Sequence, residues 1–106
     1  MADEIVVFIT TSNPEEASKI ARALVEERLS ACVNIIKSIR SIYRWQKEVQ
    51  DEEEALLIVK TRGELFERLE KRVRELHSYT VPEVIAISIS EGSAPYLKWL
   101  RESTEG

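Results

Sequence analysis

EIVVFITTSNPEEASKIARALVEERL, residues 4–29, changes its hydrophobic period halfway along. Glu4 to Thr11 is an apolar, β-branched run, which predicts a strand. At Asn13-Pro14-Glu15-Glu16 the pattern switches. Asn13 can accept from an unpaired amide, Pro14 suits the first helical position, and Glu16 stands where a capping box puts its acid. Ala17, Ile20, Ala21, Leu24, Val25 and Leu29 then recur at helical spacing. A strand running straight into an amphipathic helix opens a mixed fold.

Downstream, Ala31 to Trp45 has no helical period and is rich in Val, Ile, Tyr and Trp, so it predicts a second strand. A turn is expected through Gln46 to Asp51, and a third strand from Glu53 to Lys60. Thr61-Arg62-Gly63-Glu64 has the form of a second capping box. Leu65, Phe66, Leu69, Val73 and Leu76 mark the helix after it, with Glu64/Arg68, Glu67/Lys71 and Glu70/Arg74 as outer-face pairs. Pro82 precedes a fourth strand, Glu83 to Ser90, and a short helix begins near Ala94-Pro95 with Tyr96, Leu97 and Leu100 on one side. The order β-α-β-β-α-β plus a terminal helix is the α+β, ferredoxin-like pattern. Right-handed crossovers put its first and third strands in the centre.

At 106 residues the chain is expected to form one domain, residues 1–106, able to build a core without disulfides or metal. Its 43% hydrophobic and 32% charged residues exclude a disordered tail. A net charge of −4 weighs against nucleic acid as a partner. The longest apolar runs, Ile5–Ile9 and Ala55–Val59, fall far short of the roughly 20 residues of a membrane span. The acidic start, Met1 to Glu4, is unlike a signal peptide, and Cys32 is the single cysteine, so a reducing cytoplasm is expected.

Two features point to self-association. Both helices of this fold cover one face of the sheet, yet the central strands are apolar on both faces. The second strand, fully extended, would span about 50 Å, against a domain diameter of about 34 Å. It must bend or protrude, and a protruding arm would expose Ile39, Ile42, Tyr43 and Trp45.

No phosphate cradle, His-Glu-x-x-His, EF-hand or Gly-x-Ser-x-Gly motif is present. The densest chemical cluster is His77-Ser78-Tyr79-Thr80-Val81-Pro82-Glu83. His77 can complement the end of the second helix or act as a ligand or catalytic group. Tyr79 is either a packed loop residue or a ring and hydroxyl for a ligand. Lys60 either snorkels to solvent or meets a substrate, and Trp45 is an interface anchor or a stacking platform. Cys32 is a small buried residue or half of a dyad with His77. The acidic run Asp51 to Glu54 suits a solvated hairpin edge.

Arg28-Leu29-Ser30-Ala31-Cys32-Val33-Asn34, Tyr43-Arg44-Trp45, Val59-Lys60-Thr61 closing the run from Glu54, His77 to Glu83, and Tyr96-Leu97-x-Trp99-Leu100 follow in order along the chain. Together they resemble CutA, the divalent-cation tolerance protein family. Two positions depart from its usual pattern: Lys47 stands where a glycine is usual, and Ser78 replaces the proline of a His-Pro-Tyr motif. The resemblance implies a cytoplasmic homotrimer, similar in architecture to PII signalling proteins, with links to copper binding and metal tolerance. Copper-linked members carry a cysteine and a second histidine where this chain has Ile9 and Leu76, which leaves His77 of that set.

The leading expectation is therefore a trimeric, non-catalytic binding protein with no required cofactor. It would hold a divalent metal such as Cu2+ loosely, with His77 as the candidate ligand and Glu54 or Glu83 in support. A ligand cleft is expected between subunits around Trp45, Lys60, His77 and Tyr79. The alternative is a PII-like sensor of small molecules. A third reading is a small hydrolase or transferase using His77, Tyr79 and Lys60.

Overall fold

The structure is a computed structural model that describes residues 3–105. Strand β1 (Glu4–Thr11) passes into helix α1 (Pro14–Glu26) at Asn13. The Asn13 side chain accepts from the Glu16 N–H at 2.8 Å, and the Glu16 carboxylate reaches back to the Ser12 N–H at 3.2 Å. At the other end, Arg28 turns left-handed with φ 60°. Its N–H bonds the Val25 carbonyl at 3.1 Å, and that of Leu29 bonds Leu24 at 2.9 Å. This is a Schellman ending with arginine where glycine is the usual choice.

The other elements are β2 (Cys32–Trp45), β3 (Glu48–Arg62), a 3-10 turn (Gly63–Leu65), α2 (Phe66–Leu76), β4 (Val84–Ser88) and α3 (Ala94–Ser103). The sheet order is β2-β3-β1-β4, antiparallel throughout, with β3 and β1 central as the crossover rule requires. Val7, Ile9, Leu57 and Val59 point to one face and are buried against Ile20, Leu24, Leu69 and Val73 of α1 and α2. Val6, Phe8, Leu56 and Ile58 alternate to the opposite face and are half-buried. Helix α3 covers one end of that face, tied by Arg101 to Glu4 at 2.6 Å and by Arg62 to Thr104 at 2.9 Å. Beyond it, Ile85 and Ile87 of the edge strand are 53% and 57% exposed.

Four expectations need correction. The hairpin turns over Gln46-Lys47 alone, and β3 begins at Glu48. Asp51, Glu52 and Glu53 are exposed on the hairpin as expected, and each is bonded along the ladder, Asp51 to Arg40, Glu52 to Tyr43 and Glu53 to Ser38, whereas Glu54 is buried. Thr61 caps no helix. It is buried in β3 and donates to the Leu29 carbonyl at 2.7 Å, while α2 is entered through the 3-10 turn without a side-chain cap. Of the three outer-face pairs, Glu70–Arg74 forms at 2.6 Å, whereas Glu64 pairs with Arg101 of α3. The fourth strand covers Val84–Ser88 rather than Glu83 to Ser90. The long β2–β3 arm does protrude, giving the molecule extents of 44 × 25 × 23 Å.

Candidate functional site

Four segments meet at the base of the arm: the end of β1, the start of α1, the loop after α2 and the rung Ile39/Glu54, where β2 and β3 run on past the end of β1. His77 lies at their centre, its side chain fully buried. Its Nε2 is 2.7 Å from the Thr10 carbonyl, which can only accept, so the proton resides on Nε2. Its Nδ1 accepts from the Tyr79 N–H at 3.0 Å. Both ring nitrogens are therefore engaged within the chain. The ring also packs on that of Tyr79, with centroids 4.6 Å apart.

Glu16 joins the same cluster. One of its oxygens accepts from the Ser78 N–H at 2.7 Å and lies 3.7 Å from His77 Nδ1. Burial works against the Glu16 carboxylate, but its hydrogen bonds to Ser78 and Ser12 outweigh that and hold its pKa below the usual range. Ser78 is one of the two departures from the family pattern. It contributes a backbone donor that a proline could not supply.

Tyr79 opens onto a groove of about 790 Å³, walled by Tyr43 and Trp45 of the arm on one side and by Tyr79 and Val81 on the other. The Tyr79 hydroxyl donates to Glu54 at 2.7 Å and that of Tyr43 to Glu52 at 2.6 Å. Burial, then the bond to Glu54, pushes the Tyr79 phenol well above its usual range. Chiefly its bond to Glu52 pushes Tyr43 up to about 12. Both phenols stay protonated at neutral pH and serve as donors, not bases. Burial, and secondarily the charge of Glu54, pushes the Glu83 carboxyl up. The groove also contains Arg40, whose guanidinium is held by both oxygens of Asp51 at 2.9 and 2.6 Å.

Of the four residues expected to form the cleft, the structure gathers three. Trp45 and Tyr79 line the groove, and His77 stands behind Tyr79 as its support. Lys60 lies apart. It pairs with Val6 and Cys32 in the ladder, with its ammonium on the Asn34 side chain. From Val6 to Thr10 is four residues of strand, about 13 Å, so Cys32 and His77 form no dyad. Among the described residues, no group of three or more His, Cys, Asp or Glu is placed to hold a metal ion. With both imidazole nitrogens occupied, the residues do not fit a tightly held ion within one chain.

The sequence reading passed over Tyr43, Thr10 and Glu16 as site residues. Strand alternation puts Tyr43 and Glu52 on one face of the hairpin once its two-residue turn fixes the register. The roles of Thr10 and Glu16 depend on a fold-distant loop and carry no local signal.

The split β-α-β topology, the long arm and the groove at its base define an arm-bearing ferredoxin-like domain. Among the described residues, no helix is long and apolar enough to cross a membrane. The family model described as CutA1 divalent ion tolerance protein matches residues 5–103, and the chain belongs to that family. The divalent-cation tolerance protein CutA of Thermus thermophilus is 56% identical over 101 residues, covering 95% of this chain and 98% of that one. A solved structure of Cut A1 from the same organism superposes with a TM-score of 0.94 over 96% of this chain and 99% of that one. An Archaeoglobus fulgidus structure, described as a periplasmic divalent cation tolerance protein CutA, is 39% identical with a TM-score of 0.93, covering 96% and 99%. Human protein CutA is 46% identical over 98 residues, which are 92% of this chain and 55% of the human one, so the chain spans about half the length of that relative.

Proposed function

We propose that this chain is a homotrimeric, non-catalytic binding protein in the response to divalent cations, copper among them. The observation that carries the assembly is the apolar surface left open on the second sheet face and along the arm. Ile85, Ile87, Ile42 and Val49 are each more than half exposed, so large apolar side chains stand open both on the edge strand and on the arm, the kind of surface that an interface covers. Cyclic closure would cover every copy of both surfaces, whereas an open chain would leave edges exposed. Metal would be held loosely, through carboxylates such as Glu54 or Glu83, with His77 joining only if its ring gave up a bond. No phenol or imidazole of the groove is poised as a base, which supports binding over turnover. The reading puts this work in the cytoplasm, where a free Cys32 stays reduced.

Light scattering at micromolar concentration tests the assembly: a trimer mass supports the reading and a monomer mass overturns it. Chelation should leave the melting temperature unchanged, because a ligand far below saturation adds almost nothing to stability. The groove favours a second reading alongside the first, a small-molecule sensor of the PII-like kind. Its volume of about 790 Å³ falls within the roughly 300–1,000 Å³ of small-molecule sites.

A further inference from the structure

We propose that the groove at the base of the arm binds a small organic cation, its ammonium group against Glu54 and Glu83 and its apolar body between Tyr43, Trp45, Tyr79 and Val81. The inference rests on the small-molecule reading of this groove and assigns its ligand class.

The starting point is Glu54. It is only 6% exposed, yet it has no ion-pair partner among the described residues, and its hydrogen-bond partner is the neutral phenol of Tyr79. A carboxylate withdrawn from water is normally matched by a cation or by several donors. Glu83 faces the same space with its own acid and feels the charge of Glu54. Among the described residues lining the groove, Arg40 is the one cation, and Asp51 already engages it through two bonds. The cavity thus carries negative charge in excess.

The walls select among cations. Faces of Tyr and Trp rings attract an ammonium group and also pack an apolar body. A hard divalent ion instead demands six or more oxygens, or a shell of ordered water, and these walls of rings and Val81 provide few. A phosphate-bearing ligand would meet carboxylates with no free cation to receive it. The occupant that satisfies both charge and walls is an amine or quaternary ammonium with an aromatic or branched apolar group.

The test is calorimetric titration of the full chain, in its native assembly, with 2-phenylethylamine hydrochloride as probe. Phenylacetate, with the same body and opposite charge, ATP and magnesium chloride serve as comparisons. Saturable binding of the amine, with at least tenfold weaker binding of phenylacetate, is expected. Glu54→Gln should weaken the amine at least tenfold. Should that variant fail to fold, Glu83→Gln at the exposed rim takes its place, with a severalfold loss expected. In a Trp99→Phe background, Trp45 fluorescence should respond to the amine.

Amine affinity unchanged in both acid variants, or phenylacetate binding as tightly, would overturn the inference. Binding of phenylacetate or ATP alone would keep a small-molecule groove but overturn its cationic class. Displacement of the amine by an equal concentration of magnesium would reassign the groove to an inorganic ion and overturn it too. No response to any probe would remove the inference and the sensor reading together, while a trimer mass would leave the assembly standing.

Discussion

Lys47 sits in the two-residue turn at the tip of the arm, and the geometry of that turn makes the consequence of replacing it calculable. Gln46 and Lys47 have φ of 51° and 73°, so both central residues of the two-residue turn are left-handed. That hairpin geometry matches the twist of the strands, but it favours Asn-Gly or a similar pair. An L-residue held left-handed costs about 1–2 kcal/mol through the clash of its Cβ with the following carbonyl. Glycine removes the clash but returns about 0.5–1 kcal/mol through its freer unfolded state. Lys47→Gly should therefore stabilise the fold by about 0.5–1 kcal/mol. The Lys47 side chain is exposed, and the Arg44 guanidinium donates to the Lys47 backbone carbonyl, which glycine keeps, so little else changes. Lys47→Ala keeps Cβ and should lie within about 0.5 kcal/mol of the parent, as surface changes usually do. The assay is guanidinium unfolding at one fixed chain concentration, since association would make the midpoint concentration-dependent. The slope should stay constant while the midpoint rises for glycine alone. Equal midpoints for glycine and alanine would refute the assignment of strain to this turn.

The same reasoning applies to Arg28→Gly at the Schellman position, with a gain of about 0.5–1 kcal/mol read from the same unfolding curves. Ser78→Pro removes the N–H that Glu16 accepts, a charge-assisted bond of about 1.5–3 kcal/mol, partly offset by about 0.4–1 kcal/mol of unfolded-state entropy. It should destabilise by about 1–2 kcal/mol and raise the Glu16 pKa, which carboxyl NMR would follow. Because Glu16 has a folded pKa below its ordinary 4.5, its contribution is present above that value and lost as pH falls through the folded pKa. Glu16→Gln should flatten the acid limb of the stability profile, and an unchanged limb would count against the assignment. His77→Phe strands the Thr10 carbonyl and the Tyr79 N–H, a loss of about 2–4 kcal/mol in denaturant unfolding, with His77→Gln recovering part of it. Trp45→Ala should weaken assembly in light scattering more than it lowers the helical circular-dichroism signal.

What was legible in the sequence follows the range of the signal. The entry to α1 could be read because Asn13, Pro14 and Glu16 act on amides within four residues of themselves. The central position of β1 and β3 followed because five consecutive apolar residues suit a strand buried on both sides. Thr61 failed as a cap because a pattern of residue types says nothing of whether the hydroxyl has a better partner elsewhere, here the Leu29 carbonyl across the fold. The expected turn through Gln46 to Asp51 is too long because Glu48 to Asp51 carry no strong strand pattern of their own, and their pairing with Ile42 to Trp45 is fixed only by the register across the hairpin. The site divided in the same way. His77 and Tyr79 stood out as an isolated cluster, but the separation of Lys60 from them depends on the register of three strands.

The two walls of the groove are held by different means. Tyr79 is fixed from behind by His77, which is itself pinned to Thr10, and the loop is anchored again where Glu16 accepts from Ser78. These bonds run to β1 and α1, so this wall is tied to the body of the domain. Tyr43 and Trp45 ride on the arm, which beyond Ile39 is held by its own ladder and by exposed pairs such as Arg40–Asp51. Exposed ion pairs contribute about 0–1 kcal/mol each, and a two-stranded ribbon alone is marginal in water. The spacing between the walls is therefore set by whatever seats the arm. If a neighbouring copy seats it, as the proposed trimer requires, assembly and groove occupancy share one element, and linkage makes the effect reciprocal. A ligand gripping both walls would tighten the trimer by the same factor by which the trimer tightens the ligand. Dilution would separate the two: in a chain that binds through this groove, occupancy should lower the concentration at which the trimer dissociates. A dissociation constant indifferent to saturating ligand would mean that the arm is seated identically in both states.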